Sequence, residues 1–443
     1  MEASKINMKI KIHRGTREIG GSCVELKSKG KSLILDIGSP LVNSDGSHFE
    51  EKSLNKPITE LLENKLLPPI KGLYENKCCN ISGVILSHSH QDHFGLAHYV
   101  QSNIPVYVTE GTKELINISQ IFLTNVSKIE NLIILPDRWK PIKIGPFTVT
   151  TYPVDHSAPD AVAIEVEADD KRIFYSGDLR GHGRKSKLFE HMLKRPPQKI
   201  DALLMEGSSF GRKPSEYLFP DEEAVEKRII EIIKDKENIA LLFCSSQNID
   251  RIVSVYRAVL KLSGVLVIDL YTAFILYKLK GLSSRLPQYK SDHVRVKFWN
   301  HHMKSLERAG HHDFLKEVVR SKRGIKTEEI VKRRKEIVFL AKANSLLPKL
   351  VNELDTLNGI KLIWSMWTGY ITGDDQFSKF CKEHDLKWEE IHSSGHASID
   401  DLKLLADSIK PKQLIPIHTF YPDQYKKHFQ NVIELSDAEE MIL

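Results

Sequence analysis

The 443-residue chain is 41% apolar and 28% charged, with a formal net charge of +6. This composition supplies a sizeable core and excludes disordered, collagen-like and coiled-coil proteins. No apolar run approaches the roughly 18 residues that span a bilayer, so we expect no membrane partner. The five cysteines, without C-x-x-C spacing, argue against a disulfide framework. The first residues lack the apolar stretch of a signal peptide, and we therefore expect a cytoplasmic location.

The first two hundred residues read as short strands separated by turns and a few helices. The alternation and composition predict strands at 8–13, 22–25, 32–36, 84–87, 104–108, 147–152, 162–167 and 172–176. Helices are predicted at 97–102 and 112–121. Strands mixed with helices in this way indicate a layered α/β domain rather than a bundle or a β-sandwich.

From Pro220 onward the pattern changes to strand–helix–strand. Helices are predicted at 221–236, 248–262 and 374–385, and strands at 240–243, 265–269, 362–366, 390–392 and 413–417. A polar, basic stretch runs through 301–345. The βαβ order predicts a parallel sheet. We therefore expect an α/β domain, an inserted α/β domain and a return to the first domain.

The strongest chemical signal is the run His88-Ser89-His90-Gln91-Asp92-His93, directly after an apolar strand. In an extended segment, residues i and i+2 project to one side, so His88 and His90 can hold one ion. The turn that follows presents Asp92 and His93 to a second ion. Imidazole and carboxylate are suitable zinc ligands, and this run favours a two-metal centre. The alternative is a solvent-exposed histidine-rich turn.

Further candidate ligands lie where later strands end. His156, Asp178 and His418 each follow a predicted strand, and strand ends hold ligands on a rigid scaffold. Any one of these residues alone would more often be structural. Their order along the chain, however, matches a known pattern.

The sequence resembles the metallo-β-lactamase superfamily through Asp36 in LILDIG, the HSHQDH run, His156 and Asp178. Glu206 in LLMEGS, His396 in SSGHAS and His418 in IPIHTF resemble the motifs of the β-CASP nucleases, the group that includes ribonuclease J. The resemblance implies an αββα sandwich with an inserted β-CASP α/β domain. It places the metallo-β-lactamase domain at 1–207 and 386–443 and the insert at 208–385.

The resemblance also implies a role for each motif residue. His88, His90 and His156 would hold one zinc ion; Asp92, His93 and His418 would hold the other, with Asp178 bridging. Manganese could replace zinc. Asp36 would orient a ligand imidazole without touching the metal.

Catalysis would use a hydroxide shared by the two ions, which also clamp the phosphate. His396 would be the general acid, held and kept protonated by Glu206.

Other residues are candidates for substrate binding. Ser245 and Ser246 precede a predicted helix, and the turn at Ser394, Gly395, Ala397 and Ser398 could expose N–H groups to a 5′-phosphate. Two features depart from ribonuclease J. Gln247 interrupts the Ser-Ser-Asn run, and His418 is followed by Thr-Phe-Tyr-Pro instead of a small residue and an acid.

The excess positive charge lies in the insert. Residues 301–345 contain 12 Lys+Arg and 6 Asp+Glu, a net charge of +6, and the rest of the chain is neutral. The run Lys332, Arg333, Arg334 and Lys335 can bind a polyanion. A solvated helix face, with Glu328, Glu329 and Glu336 pairing to the bases, explains the charge equally well.

The leading hypothesis is a two-zinc nuclease that hydrolyses phosphodiester bonds in RNA, with RNA or single-stranded nucleic acid as its partner. The resemblance leaves both a monomer and a homodimer open. One alternative is a hydrolase of small esters or lactones that uses the same metal site. The other is a metal-bound RNA-binding protein with little catalysis.

Overall fold

The computed structural model describes residues 7–42, 49, 51–54, 56–75, 80–123, 126–212 and 219–443. The chain divides into two compact units. Unit 1 comprises Met1–Arg212 and Gly395–Leu443, and unit 2 comprises Lys213–Ser394. The domain boundaries predicted at 207 and 385, and the identity of the middle segment as a β-CASP domain, stay predictions.

Strands and helices both occur throughout the part of the chain that the structure describes. The strands are β1 (Lys9–Arg14), β2 (Cys23–Ser28), β3 (Lys31–Leu35), β4 (Ile81–Ile85), β5 (Val106–Val108), β6 (Leu132–Ile134), β7 (Ile142–Ile144), β8 (Phe147–Pro153), β9 (Val162–Ala168), β10 (Lys171–Tyr175), β11 (Ala202–Glu206), β12 (Ala240–Phe243), β13 (Val265–Asp269), β14 (Val294–Lys297), β15 (Ile337–Ala341), β16 (Lys361–Trp364), β17 (Trp388–Glu390), β18 (Gln413–Ile417) and β19 (Glu440–Ile442). The α-helices are α1 (Ile58–Glu63), α2 (Gln91–Phe94), α3 (Glu110–Phe122), α4 (Ser186–Lys194), α5 (Glu222–Lys234), α6 (Ile249–Lys261), α7 (Leu270–Lys278), α8 (Asn300–Arg308), α9 (His312–Arg320), α10 (Thr327–Lys332), α11 (Leu346–Asn352), α12 (Gln376–Glu383) and α13 (Ile399–Ile409).

Unit 1 contains two mixed sheets. In the described residues, the order of the first sheet is β19-β1-β2-β3-β4-β5-β6, and that of the second is β18-β11-β10-β9-β8-β7. The strands β10, β11 and β18 are parallel to one another. Their carboxyl ends therefore lie at one edge of the second sheet, and this edge carries most of the site described below.

The two sheets of unit 1 pack face to face and carry helices on their outer faces. Ile10 and Leu26 of the first sheet share a buried core with Ile164 and Leu204 of the second. A second core lies beneath α1 and α3, and a third lies beneath α4 and α13. The four layers run helix, sheet, sheet, helix, so the predicted αββα sandwich is confirmed.

The sequence of β9 is mostly apolar because both faces of this strand are buried. Ile164 belongs to the core between the sheets, whereas Ala163 belongs to the core beneath the helices. Because successive side chains point to opposite faces, a strand buried on both sides reads as a nearly continuous apolar run. Strand β1 instead alternates, with Ile10 and Ile12 fully buried and Lys9 and Lys11 only half-buried.

Unit 2 is a parallel sheet with the order β14-β13-β15-β12-β16-β17. Two of its helices begin at side-chain N-caps. Asp221 accepts a hydrogen bond from the Ala224 N–H of α5, and Asn248 accepts one from the Arg251 N–H of α6. Such caps satisfy N–H groups that the helix leaves open, which fixes where each helix begins.

A buried ion pair ties the elements of unit 2 together. The Arg251 guanidinium donates to both oxygens of Glu222 at 3.1 and 3.0 Å, and both side chains are essentially inaccessible. The same guanidinium donates to the carbonyls of Ser365, Ile391 and Ser393. Arg251 thus links α6 to α5, to the end of β16 and to the segment that follows β17.

Several elements match their predictions closely. Strands 240–243, 265–269 and 413–417 have the predicted bounds, and the helix predicted at 248–262 is α6, one residue shorter at each end. The helix predicted at 97–102 is only a 3-10 turn at Ala97–Tyr99. The polar stretch 301–345 contains α8, α9, α10 and β15, which the charge-rich composition did not indicate.

Two further predictions concern the whole chain. Cys78 and Cys79 lie outside the described residues, and Cys23, Cys244 and Cys381 are buried free thiols. In the part of the chain that is described, no helix combines the length and apolarity needed to cross a membrane.

We expect Arg251→Met to destabilise unit 2 by about 3–5 kcal/mol, because it removes the buried guanidinium that pairs with the Glu222 carboxylate. Urea unfolding followed by fluorescence measures the change. Arg257→Met on the same helix is the control, since Arg257 is half-exposed and its partner Glu226 keeps an ion pair with Lys261. Equal destabilisation by the two variants would contradict this account.

Candidate metal centre

The histidines and carboxylates singled out in the sequence lie where strands of unit 1 end. His88 and His90 follow β4, and His90 directly precedes α2, which carries Asp92 and His93. His156, Asp178 and His418 follow β8, β10 and β18, respectively. Glu206 is the last residue of β11, and His396 precedes α13. The structure brings all of them together.

Two groups of potential ligands share one carboxylate. His88, His90, His156 and Asp178 form the first group, and Asp92, His93, Asp178 and His418 form the second. Within each group, the ligand atoms lie within 4.8 Å of one another. Asp178 Oδ2 lies 3.2 Å from His93 Nε2 and 3.7 Å from the Nε2 atoms of His88 and His418. These sets are the ones that the resemblance implied.

The atoms that face the middle of this cluster fit a cation. Among the described residues, Nε2 of His88, His93 and His418 and both oxygens of Asp178 are buried without a hydrogen-bond partner. Buried polar atoms are rarely left in this state, and a bound ion is one explanation. The donor set of imidazole nitrogens and carboxylate oxygens suits zinc and related divalent metals.

Asp36 lies behind the cluster and is fully buried. It accepts hydrogen bonds at 2.7–2.8 Å from the Ser87 N–H, the hydroxyls of Ser87 and Tyr175, and His93 Nδ1. With Nδ1 of His93 donating to Asp36, its Nε2 is directed toward Asp178. This arrangement fixes both the tautomer and the orientation of the imidazole.

Two other imidazoles are also oriented by hydrogen bonds. His156 Nδ1 donates to the carbonyl of Gly395 at 2.7 Å, whereas His418 Nδ1 accepts from the Gly20 N–H at 3.3 Å and lies 2.9 Å from the Ser22 hydroxyl. In both rings Nε2 faces Asp178. The signals for Ser22, Ser87 and Tyr175 in the sequence are weak, since each is an ordinary polar residue at a strand boundary.

The protonation states reflect burial and neighbouring charge. Burial lowers the pKa of His88 and His156 well below the ordinary value, and neighbouring histidines lower it further, so both imidazoles are neutral. Burial alone would lower the pKa of His93, but the charges of Asp178, Asp36 and Asp92 raise it well above its ordinary value. Burial opposes ionisation of Asp178, yet His418 and His93 hold its pKa well below the usual range.

His396 and Glu206 form a pair at the edge of the cluster. His396 Nδ1 lies 3.2 Å from Glu206 Oε2 and 3.7 Å from Asp178 Oδ2. Glu206 is buried and also accepts from the backbone N–H groups of Leu179 and Ser208. Although burial lowers the pKa of His396, Glu206 and Asp178 outweigh this effect and raise it.

A buried ion pair beside the cluster was not predicted from the sequence. Arg180 Nε lies 3.3 Å from Asp155 Oδ1, both side chains are fully buried, and the Arg180 N–H donates to the Asp155 carbonyl. Asp155 precedes His156 and Arg180 follows Asp178 by two residues. The pair therefore connects two segments that carry candidate ligands. The only sign of this pair in the sequence is a charged residue near each candidate ligand: Asp155 beside His156, and Arg180 near Asp178.

Three residues of the turn that was predicted to bind a 5′-phosphate make structural hydrogen bonds. Gly395 accepts the bond from His156, buried Ala397 accepts through its carbonyl from the Ser209 hydroxyl, and Ser398 caps α13 through Asp401 N–H. Ser394 is the last residue of unit 2. A phosphate-binding role for these four residues stays a prediction.

The other predicted substrate-binding residues belong to unit 2. Asn248, not a serine, caps α6; Ser245 is exposed and Ser246 is buried against Thr272 and Lys342. The basic run Lys332–Lys335 was predicted as a binding surface or a solvated helix face.

In the basic run, the two arginines are paired with acids. Arg333 contacts Glu329 and Glu336, and Arg334 contacts Asp355. Lys332 and Lys335 are exposed. Pairing with nearby acids therefore takes up part of this charge.

Comparison with known proteins agrees with this geometry. Residues 57–234 match the model of the beta-lactamase superfamily domain, and residues 386–434 match that of the Zn-dependent metallo-hydrolase RNA specificity domain. Ribonuclease J of Helicobacter pylori is 22% identical over 99% of this chain. The chain belongs to the β-CASP, ribonuclease J-like family of the metallo-β-lactamase superfamily.

Some relatives of this β-CASP chain match a smaller part of it. Ribonuclease J of Sinorhizobium meliloti is 26% identical over 44% of the chain and 34% of the relative. The chain spans about 60% of the length of the Helicobacter pylori ribonuclease J. A crystal structure of a protein of unknown function from Enterococcus faecalis V583 shares the fold, with a TM-score of 0.77, 22% identity, and coverage of 99% of this chain and 100% of that one. Membership of this metallo-hydrolase family implies that the β-CASP chain uses a divalent metal.

We expect Gly38→Ala to displace Asp92 and so to weaken metal uptake. A Cβ atom at Gly38 would lie 1.6 Å from the backbone oxygen of Asp92, a contact that forces the backbone to move. Zinc titration and thermal melting measure the effect. Gly281→Ala is the control, because a Cβ atom there meets nothing within 4 Å. Unchanged zinc affinity in Gly38→Ala would contradict the expectation.

We also expect metal uptake to release a proton from His93. Its pKa is raised in the metal-free protein, so the ring is charged at neutral pH and must become neutral to bind a metal. Metal affinity should therefore rise with pH until the pH passes the His93 pKa, and then level off. Calorimetry in buffers of different ionisation enthalpy counts the protons. Asp36→Asn should reduce the number released at neutral pH, because it removes one charge that raises this pKa. Equal release by both proteins would contradict the assignment.

Proposed function

We propose that the protein is a ribonuclease that holds two zinc ions and hydrolyses phosphodiester bonds. The observation that carries this proposal is the pair of ligand groups joined through Asp178, with His396 and Glu206 at their edge. The match of residues 386–434 to an RNA specificity domain supports RNA as the substrate. The name of the ribonuclease J relatives supports the same reaction class.

The proposed ligands divide between the two ions. His88, His90 and His156 would hold the first, Asp92, His93 and His418 would hold the second, and Asp178 would be a ligand common to both. When bound, the ions would supply a water of lowered pKa as the nucleophile and positive charge for the phosphate. Manganese can take the place of zinc in such a donor set.

His396 is proposed as the general acid. Its Nδ1 faces Glu206, which leaves Nε2 as the atom that gives a proton to the departing ribose oxygen. Glu206 raises the pKa of His396 and keeps the ring protonated. Two backbone N–H groups hold Glu206 in place, so the pair keeps its geometry without substrate.

We expect His396→Asn to lower kcat on RNA by roughly 10²–10⁴-fold, the usual contribution of a positioned acid. Hydrolysis of bis(p-nitrophenyl) phosphate should fall far less, because p-nitrophenolate leaves without needing a proton. Zinc content should stay at two ions per chain. His301→Asn, at an exposed histidine of α8, is the control. Equal losses on both substrates would contradict the role of His396 as an acid.

The class of reaction is tested with 5′-phosphate and 5′-hydroxyl RNAs and their DNA equivalents, using the wild type and Asp92→Ala with zinc or manganese. Cleavage of RNA by the wild type alone supports the proposal. Turnover of p-nitrophenyl esters or lactones with RNA left intact would favour a small-ester hydrolase. Tight RNA binding without cleavage under either metal would favour an RNA-binding protein. Light scattering on the same samples distinguishes a monomer from a homodimer.

A further inference from the structure

Two consecutive aromatic side chains are exposed beside the candidate ligand His418. Phe420 is 39% exposed and Tyr421 is 41% exposed, whereas His418 and Thr419 are buried. Two residues of chain span at most about 7 Å, so Phe420 lies close to the ligand cluster. Buried residues on either side of an exposed aromatic pair indicate a fixed feature rather than a loose loop.

The backbone around the pair is held by unit 1. His418 has a left-handed φ of 54°, and its carbonyl accepts from the Gly207 N–H. The Tyr421 N–H donates to the Thr419 hydroxyl at 3.1 Å. Beyond the pair, fully buried Tyr425 donates to the Met205 carbonyl. The backbone that carries the two exposed side chains is therefore anchored on both sides.

The Tyr421 ring lies directly on a glycine. A Cβ atom at Gly211 would lie 2.1 Å from Tyr421 Cε2, so the residue without a side chain makes room for the ring. One face of Tyr421 is thereby supported by backbone while the side chain as a whole stays accessible. Arg212 follows Gly211, and its charge acts on His396, which places a cation near the same edge of the cluster.

Two accessible rings next to a cation, one of them supported by backbone, have the chemistry of a base-stacking surface. Every nucleobase has a π-face, so such surfaces bind single-stranded nucleic acid with little sequence preference. Two rings are too small a surface for a stable protein interface, which needs roughly 800 Å² from each partner. A nucleobase whose phosphate lies at the ligand cluster matches both the size and the position.

We propose that Phe420 and Tyr421 form a platform on which an unpaired base of the substrate stacks, next to the phosphate that is cleaved. This inference rests on the proposed nuclease function and deepens it. The pair would select single-stranded over double-stranded substrate, because a base held in a duplex cannot reach the rings. Phe420 and Tyr421 act on affinity, and the chemical step stays with the residues of the cluster.

The test compares Phe420→Ala and Tyr421→Ala with Tyr421→Phe, which keeps the ring. Trp139→Ala removes an aromatic of similar exposure (38%) elsewhere in unit 1 and is the control. Kd for fluorescently labelled single-stranded RNA is measured in EDTA, and KM and kcat are measured with zinc. The RNA carries either a normal nucleotide or an abasic one at each position near the cleavage site.

The alanine variants are expected to raise Kd and KM roughly tenfold or more, with kcat and zinc content little changed. Tyr421→Phe and Trp139→Ala should behave as the wild type. An abasic residue at the stacked position should weaken binding to the wild type and leave binding to the alanine variants unchanged.

Two outcomes overturn the inference. If the wild type cleaves RNA but the alanine variants bind normal and abasic RNA as the wild type does, the platform is wrong and the nuclease function stands. If the wild type neither binds nor cleaves RNA, the proposed function fails and the platform fails with it.

Discussion

The buried carboxylate of Asp178 is the interaction on which the rest of the site depends. It is almost inaccessible to solvent, and imidazoles of His88, His93, His156, His396 and His418 lie within 4.0 Å of it. A buried charge is strongly unfavourable unless it is compensated. Compensation must therefore come from protonated histidines, such as His93 and His396, or from bound cations. This electrostatic requirement explains why so many histidines converge on one strand end.

The fold meets that requirement through the geometry of two packed sheets. His88, His90 and Asp36 follow strands of the first sheet, whereas His156, Asp178 and His418 follow strands of the second, and Glu206 ends one of them. Neither sheet alone carries a complete ligand set. Asp36 connects the two sheets, since it accepts hydrogen bonds from both His93 and the Tyr175 hydroxyl of β10. The core between the sheets thus fixes the distance between the two halves of the site.

What the sequence could show depended on whether the signal was local. The H-x-H-x-D-H spacing is a local signal, and so are the apolar runs at 240–243, 265–269 and 413–417, which were predicted with their bounds. The strand before the histidine run, predicted at 84–87, is Ile81–Ile85. Residues 337–341 form the buried strand β15, but the neighbouring charges of 301–345 obscured it. The partners Ser87 and Tyr175 of Asp36 were missed, because a hydrogen bond between residues far apart in sequence leaves no periodic pattern. The same reason hides the Arg180–Asp155 pair.

The division of unit 1 into two chain segments has a consequence for synthesis on the ribosome. His396 and His418 belong to the segment Gly395–Leu443, which is translated only after all of unit 2. β18 then has to pair with β11, and β19 with β1, across more than two hundred intervening residues. A nascent chain in which strands β1 to β6 have already folded still lacks one ligand of the second group and the proposed acid. Assembly of the site is therefore a late event, and a chain that stalls within unit 2 would emerge without it.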